Sequence, residues 1–347
     1  MLFNQEKNQT PKVVELTNKN DMKIVLTSLG ASWVSCILPL IHGRRDVVLG
    51  SPNMDKQKEQ DVYLGATVGR VANRIANARF SIHGENYSVS ANQEPHCLHG
   101  GQDNFSYRIW AISQPSTQQA IFSLISPDGD QGFPGELKVE VSYELTDENQ
   151  VIIRYKHQAT KACPVNLTNH TYFNLAGEGS EKTALDHALT IYSDCYLPTD
   201  KAGLPSGEWR NVTGSYFDFR QSKLIGRDFL QDHDQISAGG YDHTFMLDTA
   251  RIDGRQTVAS LSAPEGDVKM NISTTMPSMQ LYTGNYLISV AGKTKSYTPF
   301  SGVAFETQFP PDAVNHPEWG ERYSPISQPN QIYCSETCYQ FIFSIYI

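Results

Sequence analysis

Titratable and amide side chains are concentrated in a few segments whose other residues are mostly apolar or small. Glutamate and histidine in such surroundings are the residue types that enzymes use to move protons, because a pocket can tune their pKa values. Arginine, aspartate, asparagine and glutamine can hold a polar ligand by hydrogen bonds. The segments are GRVANRIANARF (69–80), PHCLHGG (95–101), NLTNHTYFNLAG (166–177), GYDHTFML (240–247), MQLYTGN (279–285) and VAFETQFPPDAVNHPEW (303–319).

Glu306 is unusual among the carboxylates because it follows the apolar residues Val303, Ala304 and Phe305. Burying an unpaired charge is costly, so a lone glutamate in such a run is most often an outward-facing strand residue. The functional alternative is a carboxylate whose pocket sets its pKa for use as a general base. The local sequence leaves both interpretations open.

Two histidines have a similar ambiguity. His170 lies in the polar context TNHTY, where a histidine is more often hydrogen-bonded and structural than catalytic. His99 precedes Gly100 and Gly101, so it fits a turn, but glycines also allow the backbone and the imidazole to approach a ligand closely. Neither sequence context by itself distinguishes a structural histidine from a functional one.

The other polar candidates also have two interpretations each. Arg74 fits a surface ion pair or a donor to a ligand oxygen, and Asp242 fits a turn cap or an acceptor for a ligand hydroxyl. Gln280 fits an outward strand position. Three further histidines are interpreted as hydrogen-bonded loop residues: His96, His243 and His316.

Three other kinds of chemistry lack their usual sequence signatures. No HExxH or HxH spacing joins the histidines, whereas a catalytic zinc needs three converging protein ligands. There is no GxSxG nucleophile elbow, and GATVG (65–69) lacks the GxGxxG phosphate-binding pattern. The sequence therefore predicts acid–base catalysis with no cofactor and no metal.

Composition limits the partners and the compartment. The 347-residue chain has a formal net charge of −9, which argues against nucleic acid binding because phosphate backbones are held by clustered Lys and Arg. The first residues, MLFNQEKNQT, lack the pattern of a signal peptide, and no apolar run is long enough to cross a bilayer. The six cysteines show no metal spacing. These features predict a cytoplasmic protein with reduced thiols and no membrane partner.

The elements that must position these residues are mainly strands. Apolar residues occupy the odd positions of 139–145 and 151–155 around the polar turn TDENQ, which predicts a β-hairpin. Residues 80–90 predict a second hairpin with His83 and Gly84 near its turn. Further strands are predicted to begin near Lys23, Ala120, Ala188, Val258 and Gln280.

Helical periodicity is limited to short pieces near 54–59 and around 223–230. Many short strands with Gly/Pro turns over the whole length predict an all-β fold, a large antiparallel β-sandwich with few short helices. No repeat or linker divides the chain, so residues 1–347 are expected to form a single domain.

Taken together, the polar segments resemble the aldose 1-epimerase (galactose mutarotase) family. The resemblance runs in order through most of the chain. The fold of this family, the galactose mutarotase-like supersandwich, agrees with the predicted sandwich. Eight ordered segments are much more specific than any one of them. The matching segments are GRVANRIANARF, LHGG (98–101), SPDGDQGFPGE (126–136), NLTNHTYFNL (166–175), YLPTD (196–200), GYDHTF (240–245), QLYTGN (280–285) and ETQFPPDAVNHPEW (306–319).

The resemblance implies an isomerase that interconverts the α and β anomers of free hexoses, such as D-galactose and D-glucose, by ring opening. Glu306 matches the family's general base in E-x-Q-x-x-P-D, and His170 matches its general acid in TNH-x-YFNL, with His99 as a competitor for the acid role. We expect Glu306 to be ionised and His170 to be protonated, each favoured by the other's charge. The positions that match the family's sugar contacts are Asn73, Arg74, His99, Tyr172, Asp242 and Gln280.

Several alternatives remain open at this level. His96 and Cys97 depart from the family pattern before LHGG, which bears on substrate preference. An epimerase of hexose 6-phosphates would need a phosphate clamp, for which Arg70 and Arg79 are candidates. A non-catalytic sugar-binding protein is a further rival. The expected partner is a small-molecule hexose, and the protein is expected to be a monomer or a homodimer.

Overall fold

The computed structural model describes residues 10–344, in which antiparallel strands predominate. The two α-helices in this range, α1 (Met54–Glu59) and α2 (His233–Ala238), are short, and brief 3-10 helices lie between strands. The strands of the first half are β1 (Val13–Thr17), β2 (Lys23–Thr27), β3 (Ser32–Leu40), β4 (Gly43–Asp46), β5 (Thr67–Val68), β6 (Arg74–Ile75), β7 (Arg79–Ile82), β8 (Glu85–Ser88), β9 (Cys97–Leu98), β10 (Ala111–Ser116), β11 (Gln119–Ser126), β12 (Leu137–Leu145), β13 (Gln150–Ala159), β14 (Cys163–Pro164), β15 (Thr168–Asn169) and β16 (Tyr172–Phe173). Those of the second half are β17 (Ala188–Ile191), β18 (Cys195–Leu197), β19 (Arg210–Asn211), β20 (Lys223–Leu224), β21 (Asp242–Met246), β22 (Ala259–Ser262), β23 (Val268–Thr274), β24 (Ser278–Tyr282), β25 (Val303–Gln308), β26 (Ile326–Ser327) and β27 (Ile332–Phe343).

Two large sheets form the sandwich. One has nine strands in the order β10-β11-β12-β13-β27-β23-β22-β17-β20, and the other has six in the order β16-β25-β24-β21-β18-β19. A four-stranded sheet, β1-β2-β3-β4, and several two-stranded pairs complete the fold, and the strand pairs are antiparallel. The predicted all-β antiparallel sandwich is confirmed.

The main hydrophobic core lies between the two large sheets. Phe173 and Phe305 of the six-stranded sheet meet Tyr339 of the nine-stranded sheet, whose ring centroid lies 5.1 Å from that of Phe173. The Tyr339 hydroxyl donates a hydrogen bond to the Phe305 carbonyl over 3.2 Å, so this buried polar group is satisfied. Trp33 of β3 packs edge-on against Phe173 and joins the smaller sheet to the same core.

Both predicted hairpins are confirmed. β12 pairs with β13 with Leu145 opposite Val151, and β7 pairs with β8 with Ile82 opposite Glu85. The second turn has two residues, His83 and Gly84, both with positive φ, which is the backbone conformation that fits the twist of a tight hairpin.

The helix predictions are partly correct. Residues 54–59 form α1, at whose start the Asn53 side chain accepts a hydrogen bond from the Lys56 amide. Residues 223–230 are not an α-helix, because β20 pairs with β17 and only a 3-10 turn follows. The second helix lies at His233–Ala238, where Asp232 caps the start and Gly239, at φ 70°, ends it. No helix among residues 10–344 combines the length and the apolar character that a membrane span requires.

Candidate active site

A cavity of about 190 Å³ opens on the face of the six-stranded sheet that points away from the main core. Its walls come from three parts of the chain: strands β16, β21, β24 and β25, the β6–β9 ribbon, and the loop after α1. The lining residues are Asp61, Val62, Tyr63, Asn73, Arg74, Gln93, Leu98, His99, His170, Tyr172, Asp242, Tyr282, Tyr286 and Glu306. Seven of the eight residues predicted from the sequence are among them.

Glu306 is in the interior of the protein. Along β25, Phe305 points into the main core, so Glu306 points to the opposite face, as the two-residue period of a strand requires. There the cavity residues and loops cover it, and the residue is only 2% exposed. The interpretation of Glu306 as a solvated, outward-facing residue is therefore wrong.

The backbone around His170 is fixed by hydrogen bonds to the chain segment at 65–66. The His170 amide donates to the Ala66 carbonyl over 2.8 Å, and the Gly65 amide donates to the His170 carbonyl over 3.1 Å. The neighbouring Asn169 side chain also donates to the Gly65 carbonyl over 2.8 Å. These bonds leave the imidazole free to face the cavity, because none of them uses a ring nitrogen.

His170 and Glu306 form a buried pair with free hydrogen-bonding capacity. The distance from His170 Nε2 to Glu306 Oε1 is 3.7 Å, and both side chains are almost completely buried. His170 Nδ1 and Glu306 Oε2 have no partner among the described residues. Buried polar atoms are normally satisfied, so unpaired atoms in a cavity wall indicate groups that a ligand completes.

Burial shifts the pKa values of the two groups in opposite directions. Desolvation raises the pKa of Glu306 to about 8, with the Asp242 carboxyl adding to the rise and the Arg74 charge opposing it. Desolvation lowers the pKa of His170 to about 4. Both directions run against the expectation that Glu306 is ionised and His170 is protonated in the empty site, because burial favours the neutral form of each group. Burial therefore favours a neutral pair, with the proton on Glu306 and not on His170.

His99 lies beside the pair in a fixed tautomer. Its Nδ1 accepts a hydrogen bond from the Asn73 amide over 3.1 Å, so the proton of the neutral ring is on Nε2. Burial, with help from His170 and Arg74, lowers the pKa of His99 well below its ordinary value. His99 is thus a neutral hydrogen-bond donor toward the cavity.

The same tautomer bears on metal binding. Potential ligand atoms of His99, His170 and Glu306 lie within 4.8 Å of one another, a grouping that could hold an ion. However, His99 offers no free lone pair, since Nδ1 accepts the Asn73 amide and Nε2 carries the proton. The cluster therefore fits a three-ligand metal centre poorly.

Asp242 and Gln280 are adjacent, but only Asp242 lines the cavity. The Gln280 amide donates to Asp242 Oδ1 over 2.6 Å, and its carbonyl oxygen accepts from the Thr244 hydroxyl. Gln280 also lies opposite Glu306 in the β24–β25 register. Gln280 therefore supports Asp242. Although it is predicted to contact the sugar, Gln280 is not among the residues that line the cavity.

Asn73, Arg74 and Tyr172 line the cavity, as the resemblance implies. Asn73 Oδ1 accepts from the Arg74 amide over 2.9 Å, which fixes the side chain that adjoins the ribbon. The Tyr172 hydroxyl donates to the Val62 carbonyl over 2.9 Å, and its ring lies 4.9 Å from the His170 ring. Tyr172 therefore presents its ring to the cavity and uses its hydroxyl to hold the loop after α1.

Sequence reasoning missed several aromatic wall residues. Tyr63 packs beside both histidines, and its ring centroid lies 4.6 Å from that of His99 and 5.8 Å from that of His170. Nothing in the local sequence marks it, because its place depends on how the loop after α1 folds over the site. Tyr282 is two residues after Gln280 on β24, so strand periodicity could have identified it.

Two residues of the matched motifs connect the active-site segments to each other. Asn166 makes a pair of hydrogen bonds with the backbone of Phe309, joining the His170 segment to the end of β25. Asp312 accepts from the Ala76 amide, and its own amide donates to the Arg74 carbonyl. These bonds explain why both motifs extend beyond the proposed catalytic residues.

Among the described residues that line the cavity, neither candidate for the rival phosphate clamp, Arg70 or Arg79, is found. Arg70 is 2% exposed and donates to backbone carbonyls of Pro134 and Gly135, so it cannot reach a ligand. Arg79 is exposed on β7 and is not among the lining residues. The departures before LHGG are also structural, since His96 Nδ1 accepts from the Asn77 amide and Cys97 is buried.

The fold and the site together define a class of protein, an antiparallel sandwich with a buried carboxylate–imidazole pair in a small cavity lined by hydrogen-bonding groups. Comparisons with known proteins agree. The family model described as aldose 1-epimerase matches residues 12–340. The chain is 41% identical to an aldose 1-epimerase of Escherichia coli K12 over 336 residues, covering 96% of each chain. It is 40% identical to a galactose mutarotase of Homo sapiens over 324 residues, covering 92% of this chain and 91% of the human protein.

Solved structures show the same fold. An aldose epimerase homologue from C. elegans superposes with a TM-score of 0.86 at 28% identity, covering 97% of this chain and all of the other. A galactose 1-epimerase from Lactobacillus acidophilus superposes with a TM-score of 0.82 at 26% identity, covering 96% of this chain and 98% of the other. The chain belongs to the aldose 1-epimerase family, and it is an isomerase that acts on carbohydrates.

Proposed function

We propose that this protein interconverts the α and β anomers of a free hexose, such as D-galactose or D-glucose, with Glu306 and His170 as the acid–base pair. The observation that carries the proposal is the buried pair itself, whose Oε2 and Nδ1 atoms lack partners among the described residues. The cavity is smaller than the pockets that hold drug-sized ligands, which suits a monosaccharide.

The reaction requires two proton transfers on the sugar. A base removes the proton of the anomeric hydroxyl O1, and an acid protonates the ring oxygen O5 while the C1–O5 bond breaks. The open aldehyde then turns about C1–C2, and ring closure with the reverse transfers gives the other anomer. Positioned general acids and bases each contribute about 10² to 10⁴ in rate, so a pair can supply much of the acceleration.

One proton shared by the pair is sufficient for this cycle. The pair accepts one proton from O1 and delivers one to O5, so its proton count does not change during ring opening. With Glu306 as base and His170 as acid, the proton that burial places on Glu306 must first move to His170, 3.7 Å away. The positive charge of Arg74 favours this transfer because it lowers the pKa of Glu306.

The assignment of His170, instead of His99, as the acid has structural support. His99 Nδ1 is engaged by the Asn73 amide, and a neutral imidazole is a very weak acid. His170 Nε2 lies 3.7 Å from Glu306, which can supply its proton. His99 therefore acts as a hydrogen-bond donor to a sugar oxygen.

The remaining wall groups bind hydroxyl groups. Asp242 accepts, and Arg74, Asn73 and His99 donate, in charge-assisted or neutral hydrogen bonds that orient the ring. The Tyr172 ring offers an apolar surface to one side of the sugar. Gln280 contributes through Asp242, which it holds in place.

The proposal also includes a cytoplasmic location and one functional unit for residues 1–347. All six cysteines are unpaired thiols, as is usual in a reducing compartment. The cavity residues come from positions 61 to 306, so much of the chain is needed to build the site.

Polarimetry of freshly dissolved α-D-galactose, at neutral pH and with a chelator present, tests the proposal. We expect the purified protein to speed the approach to the same final rotation that the sugar reaches alone. Glucose and glucose 6-phosphate are compared in parallel, and a preference for the phosphorylated sugar would identify the rival epimerase. Binding of galactose by calorimetry without faster rotation would identify a non-catalytic binder.

A further inference from the structure

Arg74 is the only lysine or arginine among the described residues that line the cavity, and its guanidinium is held from two sides. On one side, Arg74 Nε donates a hydrogen bond of 2.7 Å to the side-chain oxygen of Gln93. On the other, the backbone of Gly203 lies so close that a Cβ atom there would be 2.7 Å from Arg74 Cζ and Nη1. We refer to Gln93 and Gly203 as the Arg74 clamp.

Local structure presents each half of the clamp. Gln93 begins a tight turn in which its backbone and that of His96 exchange hydrogen bonds. The preceding Asn92 anchors this turn through its side chain, which accepts from the Leu98 amide over 2.7 Å and donates to the Gly101 carbonyl. Gln93 is therefore held next to the ribbon that carries Arg74.

Gly203 is at the tip of a second compact loop. The Asp200 carboxylate accepts from the amides of Ala202 and Leu204, and Thr199 bridges to Pro205. Gly203 has φ +79°, a conformation that side chains rarely adopt. This loop follows the YLPTD segment at 196–200, which matches the family pattern but has no place in the acid–base chemistry described above.

We propose that Gln93 and Gly203 are positioning residues that hold the Arg74 guanidinium in its sugar-binding orientation and thereby set the affinity for substrate. A long arginine side chain has many rotamers, and ordering it when the sugar binds would cost affinity. The clamp orders it in advance. This inference rests on the proposed function, because it takes Arg74 to be a sugar ligand.

The test is a pair of double-mutant cycles. Gln93→Met keeps the length of the side chain but removes the acceptor, and Gly203→Ala inserts a methyl group that must displace the guanidinium. We expect each to raise KM for galactose about three- to tenfold, the worth of one hydrogen bond, with kcat changed less than twofold. In the Arg74→Ala background, both substitutions should leave KM unchanged, since the group on which they act is gone.

Two control variants separate positioning from general damage. Gln102→Met changes an exposed glutamine outside the cavity, and Gly214→Ala places the same methyl group at φ +73° with no atom within 4 Å. Both controls should keep the wild-type KM. Thermal melts of all variants show whether each one is folded.

The outcomes distinguish the clamp from the function. An unchanged KM in Gln93→Met or Gly203→Ala, or an equal increase with and without Arg74, would overturn the clamp. If the wild-type protein does not speed mutarotation, the proposed function fails, and calorimetric titration of galactose into the same cycles still tests the clamp. A loss of galactose affinity that occurs only when Arg74 is present supports the Arg74 clamp, whether it is measured as KM by polarimetry or as binding by calorimetry.

Discussion

The two faces of the six-stranded sheet are both buried, yet they are built in opposite ways. On the inner face, Phe245, Leu281 and Phe305 pack into the main core. On the outer face of the same strands, Asp242 and Glu306 line a polar cavity. The same strands and the same backbone hydrogen bonds carry both faces, so the faces differ only in their side chains.

The contrast shows how stability and chemistry are separated by a single residue step along a strand. Phe305 contributes apolar burial without any unsatisfied group, which favours the folded state. Glu306, its neighbour, is buried with one carboxylate oxygen unpaired, which opposes folding but prepares the group for proton transfer.

Removing either member of the pair should abolish most of the catalysis. Glu306→Gln and His170→Asn each keep the approximate shape but cannot exchange the proton, so we expect kcat to fall about 10² to 10⁴-fold. Galactose affinity, measured by calorimetry, should change much less. The matched controls are Glu148→Gln and His83→Asn, both at exposed turn positions. A variant of the pair with near-normal turnover in polarimetry would refute the role of that residue.

Truncation on the inner face should affect stability instead. Phe305→Ala leaves a cavity in the core and is expected to lower the free energy of unfolding by about 3–5 kcal/mol. Urea denaturation followed by fluorescence measures this change. The molecules that remain folded should keep most of their turnover, because Phe305 faces away from the cavity. A loss of turnover as large as that of Glu306→Gln would show that the two faces are not independent.

Glu306→Gln should stabilise the protein at neutral and alkaline pH. The pKa of Glu306 rises from an ordinary 4.5 to about 8 on folding, so the folded state binds the proton more tightly than the unfolded state. The resulting loss of stability is absent below pH 4.5, grows as the pH rises, and is complete above pH 8. Replacement by the neutral amide removes it, with an expected gain on the order of 1–3 kcal/mol at pH 8.

Urea denaturation at pH 4.5 and pH 8 measures this gain, with Glu148→Gln as the control for the loss of one charge. The difference between Glu306→Gln and the wild type should be small at the lower pH and clear at the higher one. An equal difference at both pH values would argue that the effect comes from packing.

The pH profile should report the shared proton. As the pH falls through about 4, His170 becomes protonated while Glu306 still carries its proton, so neither group can act as a base. As the pH rises through about 8, Glu306 loses the only proton, and no acid remains. We measure kcat/KM by polarimetry with correction for the spontaneous rate. We expect it to fall about tenfold per pH unit below the lower pKa and above the higher pKa. A flat profile from pH 3 to 10 would contradict a shared-proton pair.

Much of the architecture could be predicted from local sequence. Alternation in 139–155 gave a correct hairpin because one face of each strand is buried and the other is less so. The helix predicted around 223–230 is not found, because the non-local pairing of β20 with β17 decides the conformation of this segment. The short helix at 233–238 has its cap residues, Asp232 and Gly239, in the sequence, and these signals were overlooked.

The sequence predicts which residues form the candidate site, but not how these residues are arranged in space. Motif resemblance identified Glu306, His170 and their neighbours, and seven of the eight predicted residues line the cavity. It places Gln280 among the sugar contacts, whereas in the structure Gln280 lies opposite Thr244 in the β21–β24 register and donates a hydrogen bond to Asp242. Residues such as Tyr63 and Gln93 were not identified, because their loops reach the site only through tertiary folding.

The strand periods, the turn positions and the kinds of groups available for proton transfer follow from the sequence alone, since they depend on neighbouring residues along the chain. Only the tertiary structure decided that Glu306 and His170 come within 3.7 Å, that burial moves their pKa values apart, and that the Asn73 amide fixes the tautomer of His99. These properties arise from solvent exclusion and from contacts between segments far apart in the chain, and no local pattern encodes them.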